Sequence, residues 1–288
     1  MTALAPAARP ATVVVPPEAE RGSRWLLLTI PIVALAVAGS AATLLDGGSY
    51  SQETANWAAQ ATGQDIANLV VFPVMAVVAF LAWRGSLRAR LVWNGLAAYA
   101  VYSYAIYSFD VHWSRLFLLD VAVFGLSVHA LAGGIATLDF DAIRVRCSSA
   151  APVRVTSIAL VGIAVVFAAL WLAIEVPATI SGTPADELGD VGLFTNPVHV
   201  LDLGVALPAT AIAGLLLRRR RVLGYCLAPL VLSMLAALSV GIVALMLVSA
   251  HRGVEPLGPG IAVTTALLAG ELVLLWRFLV AFHPPISR

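Results

Sequence analysis

The chain contains no lysine: all 17 of its positive residues are arginine, set against 16 acids for a formal net charge of +1. A retinal Schiff base, a pyridoxal phosphate linkage and a Walker-type phosphate lysine each need that amine, so all three are excluded. Charge of either sign is scarce, at 11% of 288 residues, where a soluble domain carries about 25%. With so small a net charge there is no bulk electrostatic case for nucleic acid as a partner. Two cysteines occur, Cys147 and Cys226. They are far apart, show no CxxC spacing, and fall near one predicted face, so a disulfide relay has no support. Five histidines are too few for histidine-box iron chemistry. HExxH, an Asp-rich diphosphate motif, a repeated filter loop and a hydrophilic stretch long enough for a soluble catalytic domain are all missing.

What the chain has in abundance is apolar sequence: 60% hydrophobic residues and a mean hydropathy of +0.93. That rules out both a soluble globule and a disordered chain. Eight segments reach the roughly 20 apolar residues of a spanning helix. They are residues 25–45, 65–83, 91–109, 115–136, 154–176, 197–217, 225–250 and 258–281. Lipid offers no partner to a backbone amide, so each is expected to be helical. The expected fold is an all-α membrane protein of eight transmembrane helices.

Arginine sets the orientation. Fifteen of the 17 fall on one side of these spans, including Arg84, Arg88 and Arg90, the run Arg218–Arg221, and Arg277; Arg115 and Arg252 fall on the other. The positive-inside rule then places both termini in the cytoplasm. Residues 1–24 read as a disordered cytoplasmic tail, 25–282 as the transmembrane domain and 283–288 as a short cytoplasmic tail. A cleaved leader is the competing reading of the N-terminus, but the apolar stretch running to Leu45 is long for one.

The halves 25–136 and 154–282 share a plan. Spans two and six carry Pro73 and Pro208, and aligning those prolines also aligns Arg84 with Arg219. This pattern predicts a parallel 4+4 repeat, whose central interface is where transporters place substrate. A two-bundle haem protein would need axial histidines that spans two and eight lack.

Ionisable residues inside spans are functional candidates by default. Most fall in the outer third: Asp120 in span four, Glu175 closing span five, His199 and Asp202 opening span six, and Asp65 and Asn68 opening span two. His129 and Glu271 lie deeper, and their similar depth makes them a candidate pair. In TNPVHVLDL, Asn196 or Thr195 suits an N-cap, Pro197 suits the first turn, and His199 and Asp202 are i and i+3 on one face. Such a pair can orient an imidazole, hold a metal or relay a proton, or simply fix the start of the helix. Tyr99, Tyr102 and Tyr107 fall near one stripe of span three with Ser103, while Tyr104 points elsewhere; the stripe is either an aromatic belt or a pocket wall. Gly125, Ser127, Gly133 and Gly134 are expected to let helices approach closely.

The stretches RGSLRARLVWNGLAAYAVYSYAIYSF and TNPVHVLDLGVALP resemble a group of multi-pass integral membrane proteins of GC-rich bacteria, over spans two to seven. No activity is attached to that group. The resemblance therefore implies a bacterial plasma membrane and carries no site residue over.

Three functions remain open from the sequence. The first is binding or transport of a small molecule at an outward-facing polar site, with His199, Asp202, Asp120, Glu175, Tyr99 and Tyr102 as candidates, and His129, Glu271, Asp65 and Asn68 behind them. The second is a membrane-embedded enzyme acting on a lipid or isoprenoid, with Asp120 or Glu175 as general acid. The third is a non-catalytic partner or assembly factor for another membrane protein. No cofactor is specified, and any metal would fall to His199 and Asp202.

Overall fold

The computed structural model describes residues 24–147 and 151–282. The tails expected at 1–24 and 283–288, except for Arg24, lie outside the described residues. The regular structure of the described residues is helical, apart from a single antiparallel bridge between Cys147 and Phe282.

Ten helices follow in order. Helix α1 (Arg24–Asp46) opens with a 3-10 turn. Then come α2 (Ala55–Trp83), α3 (Leu87–Asp110), α4 (Phe117–Ala136) and the short α5 (Phe140–Arg146). The second half contains α6 (Val153–Ser181), the short α7 (Asp186–Val191), α8 (Pro197–Arg218), α9 (Val222–His251) and α10 (Gly260–Val280). Seven of them are long and apolar enough to cross a membrane, which makes this a multi-pass helical membrane protein.

The eighth long helix, α3, falls outside that set on hydropathy alone. It carries Arg88, Arg90, Asn94 and four tyrosines. It can be polar because neighbouring helices shield it: Trp93, Asn94, Ala97, Tyr99 and Ala100 are all buried. Its 24 residues are about 36 Å long, enough for the roughly 30 Å hydrocarbon layer. It also runs the full thickness of its neighbours. At one end the Trp57 indole of α2 donates to the Asp110 carbonyl (3.1 Å). At the other Arg90 donates to the Thr137 carbonyl just past α4 (2.7 Å).

Helix α2 begins ten residues before the expected boundary, and this changes the reading of Asp65 and Asn68. Thr54 caps the helix by accepting from the Trp57 amide (3.2 Å), and the alanine-rich ANWAAQATGQD then continues as good helix-forming sequence. Polar residues hide that stretch from hydropathy. Asp65 and Asn68 are therefore buried about 15 Å or more inside the helix rather than at its mouth.

Helix α8 contains a π turn over Asp202–Ala206, where the Leu207 amide bonds to the Asp202 carbonyl five residues back. Pro208 follows directly. Proline lacks an amide and crowds the carbonyl four residues earlier, and the widened turn relieves both problems. Its expected counterpart Pro73 sits in uninterrupted α-helix. The turn from α8 to α9 is tight enough to hold Arg220 at φ 51°.

Helices α1 to α4 form a closed ring: α1 packs on α2 and α4, and α3 packs on the same two. In the second half α6 packs on α8, α8 on α9 and α9 on α10, but α6 and α10 form no extended packing against each other. Helix α9 joins the halves by packing on α2 and α3. Gly63 and Gly95 permit this closeness, since a Cβ at either would lie 2.3 Å from the α9 backbone. Gly133 and Gly134 do serve close approach, against Trp25 and Asn94. Gly125 does not: it faces open space.

Candidate functional site

The unclosed side of the second half leaves a cavity of about 330 Å³ between the two halves. Its walls come from α2, α3, α6, α8, α9 and α10. Most of the surface is apolar, with Phe167, Ile163, Leu235, Leu238 and Leu267. It occupies the half of the bundle nearer the acidic loops, since it is lined by the first turns of α2, α8 and α10 and the last turns of α3.

Two carboxylates face this cavity. Asp202 is bound at both oxygens: Tyr102 donates to Oδ1 (3.0 Å) and the Trp171 indole to Oδ2 (2.8 Å). Glu271, on α10, accepts from Ser239 of α9 (2.9 Å) and is buried. Gln60, Gln64, Ser103, Tyr107 and Thr264 add to the polar lining. An apolar pocket with a few fixed polar groups is the usual form of a small-molecule site, and the volume falls in the usual range.

Behind Gln64 lies a buried polar network. Gln64 donates to the Tyr99 hydroxyl (2.6 Å) and to Asn68 Oδ1 (3.1 Å), Tyr99 donates to the same oxygen (2.8 Å), and Asn68 donates to Ser40 (3.3 Å). Next to it, Asp65 collects three hydroxyl donors: Thr43 (2.6 Å), Tyr50 (2.6 Å) and Tyr107 (2.9 Å). Asp120 lines a small crevice beside this group, along with Tyr104 and Tyr107. Tyr50 lies in the loop between α1 and α2. Burial, and then the Asp65 carboxylate, push its phenol well above the ordinary range, so it remains a donor.

A third group sits at the rim. Asn196 caps α8 as expected, accepting from the Val198 and His199 amides (3.0 and 3.2 Å). The buried His199 ring does not pair with Asp202. Its Nδ1 meets Glu175 Oε1 of α6 at 2.7 Å, and its Nε2 faces Glu187 Oε1 of α7 at 3.7 Å. The ring also stacks on Trp171, with centroids 4.3 Å apart. One indole therefore serves both residues, its face against His199 and its N–H on Asp202.

The ten predicted residues thus divide into separate groups rather than one site. Asp202, Tyr102 and Glu271 line the cavity; His199 and Glu175 form the rim; Asp65, Asn68, Tyr99 and Asp120 lie within the first ring. His129 is not paired with Glu271. It is exposed on α4 and its Nδ1 bonds the Gly125 carbonyl of its own helix (2.7 Å). The tyrosine stripe also differs in part from expectation. Tyr102, Ser103 and Tyr107 do line the cavity wall, but Tyr99 lies behind it in the Gln64 network, and Tyr104 is buried against Phe72 and Tyr107. Sequence reasoning missed Trp171, Gln64 and Ser239. Trp171 left a trace, lying one helical turn before Glu175, a spacing that stacks side chains on one face. No family model, curated protein or solved structure matches this chain.

Proposed function

We propose that this protein binds or carries a small amphipathic molecule bearing a cationic or hydrogen-bond-donating group, in the cavity between its halves. The observation that carries this reading is the 330 Å³ apolar chamber with Asp202 and Glu271 set into its wall. Both carboxylates accept hydrogen bonds, so a ligand offering donors suits them. The side between α6 and α10, where no helix pair closes, gives such a ligand a route from the outer leaflet.

The same reading takes α3 as an eighth span, with both termini on the arginine-rich face in the cytoplasm of a bacterial plasma membrane. The alternating helix directions and the distribution of 15 arginines support it. The order of neighbours within α1–α4 and within α6, α8, α9 and α10 supports a 4+4 repeat whose second ring has stayed open.

Native mass spectra of protein extracted from its own membrane test the binding. Wild type should retain an added mass. Leu238→Trp, whose indole would fill the chamber, should lose it, and Asp202→Asn should weaken it. Identical spectra for all three would overturn the reading. Chemical conversion of a membrane lipid extract would reassign the chamber to an enzyme, and a stoichiometric co-purifying polypeptide would favour an assembly factor.

A further inference from the structure

We propose that His199, Glu187 and Glu175 form a divalent-cation site of the zinc type at the acidic rim, separate from the cavity. In this site His199 Nε2 and the Glu187 carboxylate are ligands, and Glu175 orients the imidazole.

The argument starts from the two ring nitrogens of one buried histidine, which is only 4% exposed. Both nitrogens face a carboxylate: Nδ1 lies 2.7 Å from Glu175 and Nε2 lies 3.7 Å from Glu187. A neutral imidazole has one N–H. In that form, the one a zinc ligand must take, the 2.7 Å contact claims the N–H and Nε2 turns its lone pair toward the Glu187 carboxylate. At 3.7 Å the two atoms are beyond hydrogen-bond range. Ligand atoms about 2.0–2.2 Å from a tetrahedral zinc lie roughly 3.4 Å apart. The observed gap therefore fits a shared cation better than it fits direct contact.

The surroundings match a metal-binding histidine. Such a residue usually donates its other N–H to a carboxylate, which fixes the tautomer and raises ligand basicity; Glu175 stands in that position. The Trp171 face holds the ring plane, and the Asn196 amide donates to Glu187 Oε1 (3.2 Å). One donor atom from each of the three residues falls within 4.8 Å of the others. The residues come from the end of α6, the short α7 and the start of α8. A bound cation would fasten the α7 segment over the outer end of α8, with water filling the remaining positions.

Zinc chloride alone, titrated by calorimetry into chelator-treated, tag-free protein, is the test. Wild type should bind one zinc per chain at micromolar concentration. Glu187→Gln and His199→Gln should each weaken binding about tenfold or more. Glu175→Ala should weaken it by about 10- to 100-fold, as loss of an orienting carboxylate does. Asp190→Asn, in the same short helix, should leave it unchanged. Glu187 is partly exposed, so that variant should fold even if His199→Gln does not. X-ray absorption should report nitrogen and oxygen near 2.0–2.1 Å and no sulfur near 2.3 Å, which separates this site from the cysteines. Binding only at millimolar zinc, undiminished binding by Glu187→Gln, or a sulfur shell would each overturn the proposal.

Discussion

Trp171 donates its indole N–H to Asp202 Oδ2 at 2.8 Å while the same ring lies against His199. One side chain of α6 thus fixes two polar residues of α8, one facing the cavity and one facing the rim. Trp171→Phe keeps the ring and removes the donor. Hydrogen bonds between helices in a membrane are worth about 0.6 kcal/mol on average, and a stranded acceptor costs roughly 1–3 kcal/mol. A loss of about 1 kcal/mol is expected, read as a lower unfolding midpoint in detergent. An unchanged midpoint would show that Asp202 does not depend on the indole.

The glycines at the α9 crossings should be unequal to those elsewhere. Gly63→Ala and Gly95→Ala would place a Cβ 2.3 Å from α9 backbone atoms, whereas Gly125→Ala meets nothing within 4 Å. Overpacking of this kind costs about 1–3 kcal/mol. Gly125→Ala should be neutral, or stabilising by up to about 1 kcal/mol, because alanine is the better helix former. Thermal unfolding of the three variants side by side checks this ordering.

Membrane topology tests whether α3 crosses. A reporter inserted in the turn at Gly85 and another at Ser114 should lie on opposite sides, the first in the cytoplasm. Alkaline phosphatase at Ser114 and a fluorescent protein at Gly85 should both be active. Reporters on the same side would make the bundle seven-spanning and would separate the two termini.

Cys147, at the end of α5, should be a slow thiol. Burial pushes its pKa up to about 11, and the thiolate is the reactive form. In a Cys226→Ser background, alkylation should therefore rise about tenfold per pH unit from 7 to 10. An ordinary thiol would level off near pH 9, and levelling there would show that Cys147 is more open than this structure has it.

Much of the scaffold was legible because a bilayer constrains sequence so strongly. The long apolar runs marked every span to within a few residues wherever the helix faced lipid. Hydropathy missed the first ten residues of α2, which are polar yet helical, whereas α3, though polar and enclosed, still showed its run at 91–109 within the observed Leu87–Asp110. The Asn196 cap followed from local chemistry, which spacing can show. The partners of His199 did not, because Glu175 and Glu187 come from α6 and α7, and no local spacing records which helix stands beside which. The same holds for Glu271: its depth suggested His129, but Ser239 on the adjacent helix is its partner.

The π turn of α8 has a consequence for chain length. It accommodates one more residue than a regular turn, so the segment before it is out of phase with the segment after it by about 100°. His199 and Asn196 owe their direction to that offset. Deleting Gly204 would restore regular winding and swing the capped end of α8 away from Trp171, leaving the helix equally apolar. A single in-frame codon therefore separates a chain with a histidine held between two acids from one with that histidine turned away from them. Among chains built on this plan, the interval from Asn196 to Pro208 is the dimension that assigns His199 its neighbours.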